Sequence, residues 1–459
     1  MAHHIRLRSS SRRGGGFFKT LLLALAVVAG LAAAAAAVLL FEFEKPTLVL
    51  EKEIKYLGGK VELPLQATDQ KSGIRSLTIT LTQGATSVTL LEKTFPRQAW
   101  FKPAGPTSLN EKVTIDAQKA GIREGNAELI VSVRDFSCNG LFKGNETLKR
   151  LPVTMDTRPP VVKMLHAQRT IRPGGSGMVL YTLSEPPGKH GVAIDNAFFP
   201  GFPVGKKDAY VCYFALPWDA GQPEKIRLVG SDEAGNEVVL PLPTAFKAET
   251  IKRDSINLSD QFLQQKMPEF EQHYPEMQGT LVEKYLYVNN QIRQSNARTI
   301  AQICTTTDPQ QLWTDRFLRM PGAGRAGFAD QRTYLYNGTA IDTQTHLGVD
   351  IASVAQAEVR AANRGKVVFA DYLGIYGKTV IIDHGQGVAS LYSHLSSIDT
   401  TAGTMAAKDQ PIGRSGVTGM AGGDHLHFSM LVHGIFVTPV EWWDQHWIDV
   451  NVKSALNAL

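Results

Sequence analysis

The sequence predicts a mainly β chain of several domains, tied to a membrane by one N-terminal helix. Three observations carry that prediction. Apolar and polar residues alternate at period two through much of 46–245, and short apolar runs return after 345. Helical spacing of apolar residues is confined to a stretch within 246–312. One segment, Thr20 to Phe41, runs 22 residues without a charge.

Composition narrows the function classes. The 459 residues suggest about three domains at a typical ~150 residues each. With 43% hydrophobic and 20% charged residues, global disorder and a collagen-like chain are excluded. The net charge of +5 resides in Arg6, Arg8, Arg12, Arg13 and Lys19, all ahead of the apolar segment. The remainder is balanced, so nothing points to a nucleic acid partner. Cys138, Cys212 and Cys304 are far apart and form no CxxC pair, which excludes a disulfide framework and a thiolate zinc site. They read as buried, inert thiols.

Residues 1–19 read as a basic cytoplasmic tail and 20–41 as a transmembrane signal anchor. The anchor would reach about 33 Å as a helix, enough for a ~30 Å hydrocarbon core. All the basic residues precede it and Glu42 and Glu44 follow, so the bulk of the chain is expected in the periplasm or another extracytoplasmic space. A cleaved signal peptide is the competing reading, favoured by A-x-A patterns in the alanine run. Either reading exports residues 42–459.

Two β modules come next, 46–157 and 158–245. Val61, Leu63 and Leu65, then Leu77, Ile79 and Leu81, then Leu129, Val131 and Val133 alternate with polar residues. Each half ends in a strand, an Asp and a small Asn/Gly turn: VSVRDFSCNG from Val131 and RLVGSDEAGNEVVLPL from Arg227. Pro159 and Pro160 between the halves favour an extended linker. The pattern resembles tandem bacterial immunoglobulin-like modules, which implies β-sandwiches acting as a spacer, or as a binder of a partner protein or wall polymer. Residues 246–312 form a helical linker. Leu281, Tyr285, Val288 and Ile292 mark one helix face, extended by Ile300 and Ile303 and ended at Asp308-Pro309. Leu258 and Phe262 predict a shorter helix that stops before Pro268. The stripe is expected to be packing, with a hinge that positions or occludes the next domain as the alternative.

The chemistry is concentrated in 313–459. Three segments bring it together: THLGVDIA from Thr345, ASLYSHLSS from Ala389 and GGDHLHFSM from Gly422. On a strand, His425 and His427 project to one face with Leu426 opposite. His346 and Asp350 add an imidazole and a carboxylate, with Gly348 allowing a tight bend between them. His394 ends another strand, with Tyr392 expected on its face. Two imidazoles and a carboxylate make a three-ligand set that leaves a fourth position open, as catalytic zinc sites do.

In order along the chain, H-L-G-V-D-I-A at His346, A-A-N-R-G-K-V-V at Ala361 and Y-G-K-T-V-I-I-D-H-G at Tyr376 are followed by L-Y-S-H-L at Leu391, I-G-R-S-G-V-T-G at Ile412 and H-L-H-F at His425. This stretch resembles the lysostaphin/LytM-type zinc metallopeptidases, which cleave peptide cross-links of peptidoglycan. The resemblance implies an antiparallel β metallopeptidase domain with a groove across one sheet. It also implies one Zn2+ per chain on His346, Asp350 and His427, and catalytic roles for His394 and His425. All five positions are intact, which sets a non-catalytic wall binder or hydrolase activator second. With no H-E-x-x-H motif, the two histidines are expected to share the proton transfers. Arg332, Tyr334 and Tyr376 are candidate substrate contacts. Lys378 and Ser429 replace the family's frequent asparagine and acid, and neither is expected to touch the ligand set. His384, His433 and His446 read as structural. The expected partners are peptidoglycan, the inner membrane through 20–41, and a regulatory protein that would open a groove held shut by the upstream modules.

Overall fold

The computed structural model describes residues 15–58, 60–99, 103–116, 121–205 and 208–459. The tail residues Arg6, Arg8, Arg12 and Arg13 lie outside the described residues. The chain divides into two compact units, Met1–Arg158 with Glu233–Asn236, and Pro159–Asp232 with Glu237–Leu459.

The first unit opens with a helix, Gly15–Leu40, rich in the strong helix formers Ala and Leu. Its stretch Phe17–Val38 is 22 residues long, apolar enough to cross a membrane, and none of it is buried in the protein. Two sheets follow. Strands Thr47–Leu50, Lys60–Thr68 and Ser108–Asp116 make one. Strands Tyr56–Leu57, Glu146–Met155, Gly125–Asp135, Ile74–Gln83 and Thr86–Thr94 make the other. The alternation has its expected effect: Leu63 and Leu65 of the first sheet share one core with Leu77, Ile79, Leu81, Leu129, Val131 and Val133 of the second.

The second unit begins with two four-stranded antiparallel sheets. One orders Phe202–Pro203, Ala209–Ala215, Ser176–Leu183 and Val162–Ala167. The other orders Ala197–Pro200, Pro187–Ile194, Ile226–Asp232 and Glu237–Pro241. Their core runs on into the C-terminal domain. Trp313 lies 6.1 Å from Tyr213 and 5.5 Å from Trp442, ring centre to ring centre. Trp442 Nε1 donates to Ser176 Oγ at 3.0 Å, and Glu441 accepts from Ser176 N at 2.9 Å while pairing with Arg172. Residues 313–459 therefore share their aromatic core with upstream sheets.

The helical stretch differs from expectation at one end. Leu258 closes a strand, Arg253–Leu258, that pairs in parallel with Asp330–Tyr336. The helix that follows, Asp260–His273, starts at Ser259, whose side chain accepts from Phe262 N, and it runs through Pro268. Proline forfeits one backbone bond there. Leu263 and Met267 before it and Phe270 after it are fully buried, which holds both halves in place. The next helix starts at Leu281 behind a Thr280–Glu283 capping box and continues through a π turn to Ile303. It buries Tyr285, Val288, Ile292 and Ile300, the predicted stripe.

The C-terminal domain centres on a sheet ordered Ala323–Ala326, Val349–Ala352, Leu426–Val432, Val388–Leu395, Lys378–Asp383, Gly365–Tyr372 and Met405–Ala406, with Ile435–Val437 beside Leu426–Val432. The structural role read for His384 has a measurable consequence. Its ring is fully buried, donates from Nδ1 to the Arg364 carbonyl at 2.8 Å and accepts from Ser390 Oγ at 2.7 Å. Burial pushes its pKa down to about 4. In the unfolded chain it titrates near 6.5, so between those values the unfolded state binds the extra proton. Its contribution is present in full above about pH 6.5 and declines as pH falls toward 4, by about 3 kcal/mol in total. Urea midpoints of residues 42–459 should fall from pH 7.5 to 4.5, with a flatter profile in His384→Gln; parallel profiles would contradict this.

Candidate active site

Asp350 and His427 are direct cross-strand partners on Val349–Ala352 and Leu426–Val432. His346 ends the strand Thr339–His346 of a neighbouring three-stranded sheet. His346 Nε2 lies 2.9 Å from Asp350 Oδ1 and 2.9 Å from His427 Nδ1, and His427 Nδ1 lies 3.0 Å from Asp350 Oδ1. All three residues are buried, and their donor atoms meet at one point. His425 projects to the same face as His427, with Nε2 at 3.5 Å from Asp350 Oδ1, while Leu426 turns into the core.

His394 reaches this group by a route the alternation rule does not give. Tyr392 pairs with Phe428 and packs on it, on the core side of the sheet. A regular strand would put His394 on that same side. His394 instead has φ +62°, a left-handed backbone that turns its ring to the His425 and His427 face. Its ring centre is 4.9 Å from that of His425 and 5.7 Å from that of His427. The expectation that Tyr392 shares its face is therefore corrected. A non-glycine residue held in this region is backbone strain of the kind found at functional sites.

Backbone carbonyls set the orientation of three rings. His346 Nδ1 donates to Gly327 O at 2.7 Å, His394 Nδ1 to Thr418 O at 2.8 Å and His425 Nδ1 to Gly423 O at 2.7 Å. A carbonyl only accepts, so each ring carries hydrogen on Nδ1 and offers Nε2 to the centre. His427 is reversed. Its Nε2 donates to Ser429 Oγ at 3.1 Å, and Ser429 Oγ donates to Leu347 O at 2.7 Å. Ser429 thus touches the expected ligand set, contrary to the sequence expectation. Lys378 does not; its Nζ donates to Ser396 O. If His346, Asp350 and His427 hold a zinc ion, Ser429→Ala should weaken its retention about 10–100-fold, read by competition with a chelator, because such orienting partners typically contribute that much.

Gly348 matters for space rather than for a bend. A Cβ there would sit 2.5 Å from His427 Nε2 and 2.6 Å from Ser429 Oγ. The carbonyls of Gly327, Thr418 and Gly423 carry no side-chain signal, so sequence reasoning could not have found them. Ser429 was findable, two residues beyond His427 on the same strand face.

Burial works against charge on Asp350, yet the imidazoles of His346, His425 and His427 around it, which favour the carboxylate when they carry a second proton, hold its carboxyl well below the usual range. Burial, with His425 and His427 beside it, pushes His394 well down, and burial takes His427 down to about 4. His425 goes the other way: burial lowers it, and its bond to Asp350 overrides that.

Arg332 Nη2 pairs with Asp350 Oδ2 at 3.2 Å. Tyr334 packs edge-on against Tyr285 at 5.8 Å, and the Tyr376 ring is 5.6 Å from His427. All three candidate contacts line one cavity of about 210 Å³ together with His346, Asp350, His394, His425 and His427. Its other wall comes from Ile256 and Leu258 of strand Arg253–Leu258, Phe262 of helix Asp260–His273, and Tyr285 and Arg293 of the next helix. Of the amphipathic stripe, Tyr285 reaches the site.

Residues 344–439, which hold all five clustered residues, match the family model described as Peptidase family M23. This stretch is an M23 peptidase domain. The chain is 38% identical over 95 residues to the DD-carboxypeptidase/endopeptidase Mpg of Neisseria meningitidis, covering 21% of this chain and 22% of that protein. It is 35% identical over 95 residues to the murein hydrolase activator EnvC of Escherichia coli, covering 21% and 23%. The chain thus spans about a fifth of the length of these curated relatives. A crystal structure of a putative peptidase M23 from Pseudomonas aeruginosa aligns with 60% of this chain and 94% of its own at 19% identity and a TM-score of 0.37.

Proposed function

We propose that this chain is a membrane-anchored, extracytoplasmic zinc metalloendopeptidase that hydrolyses peptide cross-links of peptidoglycan. The observation that carries the reading is the meeting of His346, Asp350 and His427 donor atoms within 3.0 Å of one another, with His394 and His425 beside them in the same cavity.

The donor set suits one zinc ion. Two imidazole nitrogens and a carboxylate oxygen are the ligand types catalytic zinc takes, and both imidazoles have their second nitrogen bonded, as metal-binding histidines do. Bound there, zinc supplies Lewis-acid polarisation of an amide carbonyl and acidifies a water molecule. The chain's own residues do the rest. His394 and His425 present Nε2 toward the reacting atoms and share the proton work: one takes the proton from the attacking water and passes it to the leaving amine, and the other, in its doubly protonated form, donates from Nε2 to the carbonyl oxygen as it gains charge. Thr418 and Gly423 carbonyls hold a proton on Nδ1 of both rings. Arg332, Tyr334 and Tyr376 line the approach and contact the substrate.

The β modules at 46–157 and 158–245 act as immunoglobulin-like spacers. The helical stretch closes the groove until a partner draws it away. The M23 match to an activator protein supports a second reading, in which the chain stimulates another peptidoglycan hydrolase.

One experiment separates the two. A soluble form, residues 42–459, is incubated with purified peptidoglycan with and without a zinc chelator, and the products are weighed. Chelator-sensitive loss of cross-linked dimers, absent in His427→Ala, is the expected result. No cleavage by a zinc-loaded protein that accelerates a second hydrolase would establish the activator instead.

A further inference from the structure

The first unit has an end that faces the anchor helix and an end that faces away. The helix stops at Leu40, and two residues later the Glu42 carbonyl accepts from Asn139 Nδ2 and from Asn145 Nδ2, the latter at 2.8 Å. Asn145 Nδ2 also donates to Glu44 O at 3.0 Å. Two residues of chain span at most about 7 Å. The hairpin between strands Gly125–Asp135 and Glu146–Met155 is therefore held within about 10 Å of the end of the helix. Strand Glu146–Met155 then leads away, and the Gln83–Thr86 turn lies at the far end of the neighbouring strand, about 30 Å off.

The base of this hairpin is fixed. Asp135 Oδ1 accepts from Ser137 N at 3.0 Å and from Asn145 N at 2.7 Å, and its Oδ2 accepts from Asn145 Nδ2 at 2.8 Å. Its tip does the opposite of what a water-facing loop does. Leu141 is 89% exposed and Phe142 72% exposed, and Phe43 on the adjoining chain is 90% exposed. Gly140, Leu141 and Phe142 are consecutive at φ +61°, +59° and +67°. Two bulky residues in the left-handed region are strained, and neither side chain is buried in the fold. Arg75 Nη1 donates to Phe142 O at 2.8 Å and Lys143 follows, so cationic groups border the apolar tip. An aromatic and an aliphatic side chain beside cations, at the level of a bilayer's interface, is the arrangement of an interfacial lipid anchor.

We infer that loop 138–144 inserts Leu141 and Phe142, with Phe43, into the interface of the bilayer that holds the N-terminal helix. The partner is the lipid surface itself. The inference rests on the anchor reading of 17–38. It gives the protein a second membrane contact, which limits the tilt of the first β unit on the membrane.

The test uses the full chain reconstituted in vesicles of phosphatidylethanolamine and phosphatidylglycerol, 3:1 by design ratio (roughly a bacterial-type anionic bilayer). A thiol-reactive fluorophore is placed singly at Leu141→Cys, at Ala85→Cys in the far turn and at Leu31→Cys in the helix; the native Cys138, Cys212 and Cys304 are buried. Lipids with a nitroxide near the headgroup should quench the Leu141 probe at least about 2-fold more than the Ala85 probe, and deep nitroxides should quench the Leu31 probe. Equal, weak quenching at Leu141 and Ala85 with Leu31 quenched would overturn the loop inference and leave the anchor standing. Loss of quenching at Leu31 as well would overturn both.

Discussion

Asp350→Ala is expected to empty the proposed zinc site and lower peptidoglycan cleavage more than about 10³-fold. The magnitude follows from what Asp350 does alone. It is the anion on which His346, His425 and His427 converge, at 2.9, 3.5 and 3.0 Å. Losing a hydrogen bond to a ligand typically costs 10–100-fold in affinity or activity, so losing a ligand and its charge should exceed that range. Zinc per chain, measured on protein purified without chelator, should fall from one to near zero. The thermal midpoint should move little by comparison, since the shared aromatic core around Trp313 and Trp442 lies apart from this group. Retained zinc and activity in Asp350→Ala would show that the ligand set is wrong. Zinc lost without loss of cleavage would show that the metal is not the source of the activity.

How much of this was legible in the sequence follows from where each instruction is written. His425 and His427 stand two residues apart at the head of strand Leu426–Val432, so side-chain period alone placed them on one face, whereas Asp350 was readable as a nearby carboxylate and not as the cross-strand partner of His427. His346 was readable as a neighbour of Asp350 but not as a contribution from a second sheet. His394 was found by motif, and its geometry was not, because a single φ of +62° reverses the face and a histidine does not announce that conformation. Ser429 was misjudged although alternation puts it on the His427 face; only the Leu347 carbonyl that fixes its hydroxyl comes from a distant part of the chain. In the same way, helix Asp260–His273 outlasts Pro268 because burial of Phe270 beyond it outweighs one forfeited backbone bond. Local propensity set each of these readings, and long-range packing changed them.

Glu269→Ala is expected to raise cleavage about 10–100-fold while leaving zinc content unchanged. Glu269 Oε1 accepts from Gly419 N at 2.6 Å and from Tyr372 OH at 3.1 Å, and so ties helix Asp260–His273 to the loop after Val417. Lys266 Nζ donates to Val417 O, and His273 stacks on Tyr372 at 3.6 Å, so the helix keeps a register after the substitution. The same helix contributes Phe262 to the wall of a cavity of about 210 Å³. Pockets that accept even a drug-sized ligand are typically ~300–1,000 Å³, so a cross-linked peptide requires this wall to move. Two hydrogen bonds to a carboxylate are worth about 3 kcal/mol together, which is about 100-fold in the ratio of open to closed forms. Released from them, more molecules expose the groove, and kcat/KM should rise by that shift provided the Thr418–Gly419 peptide, whose carbonyl orients His394, keeps its place. A fall in activity with zinc retained would mean that the helix is a working wall of the groove, holding substrate, and that the proposed closure does not exist.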